Sequence, residues 1–507
     1  MKRIITVLFG IGFITFLLAG GVATAYAVGA LVEEHLFTGA SRLTNIIFLM
    51  LVFVMVIATM LTLAERKWSA LMQDRIGPNR ARINLPVLRN MPLAGLPFVL
   101  ADSLKMLTKE AFAPGKANRF LFNLGPLLAF APVFALFAIV PAGPSVELWG
   151  KKVDMVVGTP DFGLLYLFAI ASLAVYGTSL AGWSSNNKFA LLGGVRASSQ
   201  MISYEVALGL SLVGIMLAFS SVQLPVIIGN LASETVTQTG VAAGGASGQA
   251  RYLWQWTGAG GGFDLGLPAW GIFLQPVGFI IFFAAAFAET KRAPFDVPEG
   301  ESEIIGYFVE YSGMQFGLFM ISEFVEVVVL SGVIAGLFFG GYHLPFGGEW
   351  LAAKLQGQPL VYATLLGTFF WLKVLLLCYV QLAIRWTFPR FRYDQIQTLG
   401  WKMLFPAGLA NVFVSGALVL WDPSLRYLAL FGLLQIGVLL ALTLSKKGGA
   451  TEEHGHGHGH GALGHGGHDP HGLPAGAHGH AALPAHGHAT ATVGGHAPAG
   501  AHVTSTH

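Results

Sequence analysis

Between Glu289 and Tyr311 the chain reads ETKRAPFDVPEGESEIIGYFVEY. It places six carboxylates, Glu289, Asp296, Glu299, Glu301, Glu303 and Glu310, in 23 residues against two cations, Lys291 and Arg292. The stretch lies between long apolar segments of a chain in which charged residues are only 11%. Pro294 and Pro298 remove backbone donors and prevent a regular helix across its first half. A helix resuming after Pro298 would bring Glu299, Glu303 and Glu310 within about 40° of one another at ~100° per residue. Like charges lined up near low dielectric raise one another's pKa and titrate as a coupled set. That is the chemistry of a proton relay or an electrostatic trigger.

Other charged residues fall inside apolar runs. Glu205 enters one such run nine residues after Arg196. A carboxylate there is expensive unless paired or hydrated, which makes it a functional candidate ahead of a simple helix cap. Glu323 and Glu326 form an i,i+3 pair that can share one helix face. Lys373 stands mid-run in FFWLKVLLL, too deep to reach the interface easily, as a pathway residue or as a partner for one of the carboxylates.

The elements that position these residues are membrane spans. The 507 residues are 54% hydrophobic, which is not a soluble globular composition. Apolar runs near 4–31, 45–64, 120–141, 162–182, 203–231, 268–288, 313–341, 361–384, 403–421 and 426–445 are each of the order needed to cross ~30 Å of hydrocarbon. The fold class is all-α, a polytopic transmembrane helical protein with nine core-type spans and one extra N-terminal apolar helix. Ala25-Tyr26-Ala27 resembles a signal cleavage site, but the first run is long for a signal and reads better as a retained helix. With a cytoplasmic N-terminus and alternating spans, the inner segments carry 22 Lys and Arg, the outer segments six, and Lys373 lies within a span. This positive-inside asymmetry puts Glu289–Tyr311 on the cytoplasmic side.

Several function classes drop out. The single cysteine, Cys378, cannot hold an iron–sulfur cluster or close an internal disulfide. There is no phosphate-binding loop and no strand–GxGxxG–helix unit. Aromatic and basic residues interleave in RWTFPRFRYDQIQTLGWK, Arg385 to Lys402, but beside spans this suits interfacial anchoring and subunit docking rather than nucleic acid. Residues 232–267 read as a flexible outer insertion without chemistry. Residues 448–507 hold 14 of the 16 histidines in a Gly-, Ala- and Pro-rich tail that cannot bury a core and is expected to be disordered. His454, His456, His458 and His460 could take up zinc, nickel or copper adventitiously, without a fixed site.

The stretch from Glu289 resembles the third cytoplasmic loop of the quinone-binding membrane subunit of respiratory complex I, the H-subunit family of NADH-quinone oxidoreductase. That family reads E-T-N-R-A-P-F-D-L-x-E-x-E-S-E followed by E-Y-S-G. Lys291 replaces the usual Asn, and the Glu303–Glu310 spacing is one residue shorter than the commonest form. Three further loops resemble the family in order: AERKWSALMQDRIGPNRARI from Ala64, WSSNNKFALLGGVRASSQMISYE from Trp183, and the loop from Arg385. The likeness covers roughly residues 45–420, giving a membrane domain over 45–447 between an extra N-terminal segment, 1–44, and the tail.

The resemblance implies a membrane subunit of a proton-translocating NADH:quinone oxidoreductase, with a quinone such as ubiquinone as substrate and with NAD, FMN and iron–sulfur chemistry on other chains. It implies that Arg66, Lys67, Arg75, Pro78, Asn79, Arg80, Asp102, Arg196, Arg292 and Phe295 belong to the quinone chamber and its loops. Glu205, Glu289, Asp296, Glu299, Glu301, Glu303, Glu310 and Glu323 would couple quinone reduction to proton movement. The segment LADSLKMLTKE, Leu100 to Glu110, looks amphipathic and would lie at the interface beside the quinone's way in. Partners would be hydrophilic quinone-reducing subunits and antiporter-like membrane subunits, in a bacterial inner membrane. The rival readings are the equivalent subunit of a membrane-bound hydrogenase or formate hydrogenlyase, and a stand-alone ion transporter.

Overall fold

The computed structural model describes residues 2–35, 39–79, 95–229, 247–257, 265–298, 306–355 and 357–448. The described residues up to Lys446 form one compact unit. The expectations placed on Arg80, Glu299, Glu301, Glu303 and the histidine tail lie outside the described residues.

The chain is a helical membrane protein. Its main helices are α1 (Lys2–His35), α2 (Ser41–Met72), α3 (Leu96–Thr108), α4 (Arg119–Leu136), α5 (Gly163–Ser184), α6 (Lys188–Phe219), α7 (Pro276–Glu289), α8 (Gly313–Phe338), α9 (Pro359–Thr387), α10 (Tyr393–Trp421) and α11 (Arg426–Gly448). Among the described residues nine of these are long and apolar enough to cross a membrane. α7 is shorter, at 14 residues. At 1.5 Å per residue it spans only ~21 Å, and a four-residue turn, Gly271–Leu274, precedes it. The break between them falls at Gln275, with Pro276 at the start of α7. The buried Gln275 side chain donates to Ser415 Oγ and accepts from Asn411 Nδ2, both at 2.6 Å, which satisfies the interrupted stretch.

α8 is the centre of the bundle, with every residue from Ser322 to Phe338 buried. A helix apolar on all faces needs neighbours all round, and α8 packs against α2, α3, α4 and α9. α4 and α5 approach so closely that a Cβ at Gly177 would collide with the Ala129 backbone. α1 lies along α9 and buries Tyr26, whose hydroxyl donates to Pro144 O at 2.8 Å.

Two expectations about loops change. Much of the second loop is helix: Asn187 caps α6 by accepting from Phe189 N at 3.0 Å, and the helix then runs unbroken past Glu205. Nine residues along one helix separate Arg196 and Glu205 by ~13 Å and turn them ~180° apart, onto opposite faces. The insertion at 232–267 is also partly built. Tyr252–Thr257 and Leu265–Pro268 pair as antiparallel strands, and a smaller hairpin joins Val146–Leu148 to Lys151–Val153. Gln249 is fully buried beside the first of these, donating to Gly336 O and Leu337 O and accepting from Gly271 N and Gly340 N.

Candidate functional site

The acidic loop is not a solvated loop. Every residue from Glu289 to Pro298 is buried. The backbone polar groups of such a segment need partners. Gln200 Nε2 donates to Ala288 O at 2.7 Å and Phe295 O at 2.9 Å, and Phe391 N donates to Pro294 O at 3.0 Å. Phe295 packs between Tyr204 and Phe391, with ring centroids 5.6 and 5.5 Å away. Against α6 the loop sits so close that a Cβ at Gly193 would meet Tyr307 N at 2.9 Å.

The folded loop delivers its charges to α8. Arg292 Nη1 lies 3.1 Å from Glu65 Oε2, its Nε 3.9 Å from Glu323 Oε2, and its guanidinium 3.8 Å from the centre of the Phe324 ring. Arg385 Nη1 closes the other side of Glu65 at 2.8 Å. The result is a chain of ion pairs, Arg385–Glu65–Arg292–Glu323, running from partly buried Arg385 and Glu65 to buried Arg292 and Glu323 and joining α9, α2, the loop and α8. One turn further along α8, Glu326 Oε2 is 3.9 Å from Lys291 Nζ, with both side chains about 5% exposed or less. Asp296 is held by Arg390, Nη2 to Oδ2 3.1 Å.

Beside these ion pairs lies a narrow cavity. Glu205 from α6, Glu289 from α7 and Glu326 from α8 reach it among otherwise apolar walls that include Leu136, Leu167, Phe168 and Val329. The volume open to a water centre is about 20 Å³, room for a water and far less than a drug-sized ligand needs. Glu289 Oε2 and Glu323 Oε1 are buried without a hydrogen-bond partner among the described residues. Three carboxylates around a water-sized space cannot all carry charge without a large penalty, and such an arrangement is chemically able to share protons.

The other expected residues sit apart from this cavity. Glu310 is not on a helix with its acidic neighbours: it ends a run of turns, Tyr307–Glu310, after Gly306 adopts φ 126°, and α8 begins only at Gly313. Its carboxylate accepts from Asn187 Nδ2 at 2.8 Å, at the start of α6. Arg66 pairs with Asp102 at 2.6 Å, an exposed bridge between α2 and α3. Lys67 Nζ donates weakly to Ile76 O, Arg75 is exposed, and Pro78 and Asn79 follow the Gly77 turn at φ 76°. Arg196 is half-buried on α6.

Among the described residues Lys373 partners no carboxylate. Its ammonium donates to Phe339 O, Gly341 O and His343 O at 2.6, 2.9 and 2.8 Å, and faces the Trp270 and Phe369 rings. It ties down the carbonyl end of α8 instead. Next to it His343 is fully buried, bonded through Nε2 to Gly229 O at 2.9 Å. Burial pulls the imidazole pKa down to about 4. Near the other end of α8, burial pushes the Tyr311 hydroxyl up to about 12, where it donates to Phe122 O at 3.1 Å.

Sequence reasoning passed over Glu65 and Arg385 as site residues. Their signal was helical spacing: Glu65 follows buried Leu61 by four, and Arg385 follows buried Gln381 by four. Each therefore extends an inward-facing stripe.

The family described as NADH dehydrogenase matches residues 44–416. Over 368 residues the chain is 39% identical to the H 1 subunit of NADH-quinone oxidoreductase from Cytophaga hutchinsonii, an alignment covering 72% of this chain and 93% of that one. The H 2 subunit from Syntrophobacter fumaroxidans is 39% identical over 374 residues, with 74% and 94% covered. NADH-quinone oxidoreductase subunit 8 of Rhodothermus marinus is 39% identical over 376 residues, with 73% and 94% covered.

Proposed function

The chain belongs to the NADH dehydrogenase family as an H-type subunit of NADH-quinone oxidoreductase, and from that premise we propose that it couples quinone reduction to proton translocation. It is a multi-pass membrane protein serving an enzyme complex. Its place is the bacterial inner membrane, with the Glu289–Tyr311 loop facing the cytoplasm, as the uneven distribution of Lys and Arg supports. Hydrophilic partner subunits bring the electrons and reduce the quinone headgroup. Antiporter-like membrane partners take up the coupling signal.

The observation that carries this reading is the convergence of Glu205, Glu289 and Glu326 on one water-sized cavity beside the Arg385–Glu65–Arg292–Glu323 chain of ion pairs. Reduction changes the charge and proton demand at the quinone headgroup. In a low-dielectric setting such a change acts strongly on the nearest buried ions. Arg292 is the link: it sits in the loop below the chamber and touches both Glu65 and Glu323. A displaced Arg292 leaves Glu323 short of a counter-charge, and Glu326 and Glu289 adjust by moving protons through the cavity. The exposed apolar side chains Leu100, Leu104 and Leu107 of α3 suit a helix lying at the lipid surface, where the isoprenoid tail enters.

The test is purification of the intact complex through this chain, followed by inhibitor-sensitive NADH:quinone reduction in reconstituted membranes. The wild-type complex is expected to be active and to pump. Glu205→Gln is expected to assemble and to lose about tenfold or more of its coupled activity. Full coupled activity in that variant contradicts the relay.

A further inference from the structure

Lys291 is buried, yet its ammonium is held loosely. Among the described residues its one ion-pair contact is Glu326 Oε2 at 3.9 Å. The next residue, Arg292, is fixed by Glu65, Glu323 and the Phe324 ring. Adjacent cations thus meet acids one turn apart on α8, one rung closed on all sides and the other beside the cavity. Glu289 stands two residues before Lys291, lines the same cavity as Glu326, and has a buried oxygen without a partner. Glu289 also lies within the electrostatic reach of both Lys291 and Glu326. A lysine is a compact charge on a flexible stem, suited to change partners where a guanidinium fork is not. Lys291 further stands where the family pattern reads Asn, so this rung is an addition to the motif.

We propose that Lys291 is an exchanging counter-ion that moves between Glu326 and Glu289 and sets which of the two carries negative charge at the cavity. The inference rests on the relay reading above. It makes Lys291 a positioning residue and Glu326 a working member of the carboxylate set. The charged groups around it are Glu289 on α7, Glu323 and Glu326 on α8, Glu205 on α6, Glu65 on α2, Arg292 beside it and Arg385 on α9.

The test is a double-mutant cycle in the intact membrane complex, reading coupled NADH:quinone reduction against pH for Lys291→Met, Glu326→Gln and the double variant. Removing the cation is expected to move the activity profile to higher pH, because the carboxylates then release protons less readily. Glu326→Gln leaves Lys291 wholly to Glu289 and is expected to move it to lower pH. The double variant is expected to return toward the wild-type profile, with activity about tenfold above the product of the two single effects. If Lys291→Met does not assemble, Glu326→Gln and the double variant still carry the test. An unmoved profile in Glu326→Gln, or additive effects where all variants assemble, overturns the exchange. Should Glu205→Gln keep full coupled activity, the relay itself falls and takes this inference with it.

Discussion

Two lysines reach α8 from neighbouring segments, Lys373 from α9 and Lys291 from the loop after α7, and the two are treated differently. Beyond the carbonyl end of α8, Lys373 gives all three protons to backbone oxygens and rests against two aromatic rings. Toward the other end of that helix, among the described residues, Lys291 has one long ion-pair contact, with Glu326, beside carboxylates with unfilled oxygens. A fully satisfied buried charge rigidifies what it touches, whereas a partly satisfied one is free to change partner. The first arrangement anchors the helix; the second can respond. On the proposal above, the difference separates an anchoring lysine from an exchanging one.

The comparison can be broken from the structural side first. Lys373→Met strips three carbonyls of their donor and is expected to cost about 3–5 kcal/mol of stability. It would be read as loss of intact subunit on thermal denaturation in detergent. A variant that assembles normally but loses proton coupling would instead put Lys373 in the pathway. His343 at the same end gives a pH signature. Its folded pKa of about 4 lies below the unfolded value of about 6.5, so the unfolded chain binds more protons. Stability is then complete above about pH 6.5 and falls as pH drops toward 4, by up to ~3 kcal/mol. His343→Gln is expected to flatten that dependence between pH 4 and 6.5 in denaturation scans.

Smaller effects are expected at Tyr311 and Asp102. Tyr311→Phe removes the hydrogen bond to Phe122 O but keeps the ring stacked on Phe122 at 4.0 Å. It is expected to cost about 1 kcal/mol in the same denaturation assay. Asp102→Asn opens the exposed bridge to Arg66 and is expected to cost less than ~0.5 kcal/mol, a cost that vanishes in high salt. A larger loss at Asp102 would mean that α3 is anchored more like Lys373 than like a surface pair.

Much of this was legible from residue order. Apolar run lengths gave the spans, because hydrocarbon thickness leaves few alternatives, and the loop motifs gave the family. Glu289, Arg292 and Glu323 were candidates from their setting among apolar runs together with the family resemblance, and they meet or adjoin one another in the bundle. Partner choice was not legible. Lys373 looked like a match for a carboxylate, but its partners are carbonyls freed where α8 ends, and backbone oxygens leave no mark in a sequence. Glu310 was aligned with its acidic neighbours on an assumed helix, and the turns after Gly306 prevent that. The Lys291–Glu326 contact joins residues 35 positions apart, a distance over which no local pattern speaks. Gln249 was hidden in a Gly-rich insertion whose ordered parts depend on α8 for their shape.

The most direct measurement is coupled NADH:quinone reduction by the assembled complex carrying Glu289→Gln, the carboxylate at the end of α7 that shares the cavity with Glu205 and Glu326. Glutamine preserves the shape and removes the exchangeable charge. The expected result is an intact complex with coupled activity reduced by about tenfold or more. An intact complex with wild-type turnover and proton translocation would contradict the assignment of this cavity to coupling.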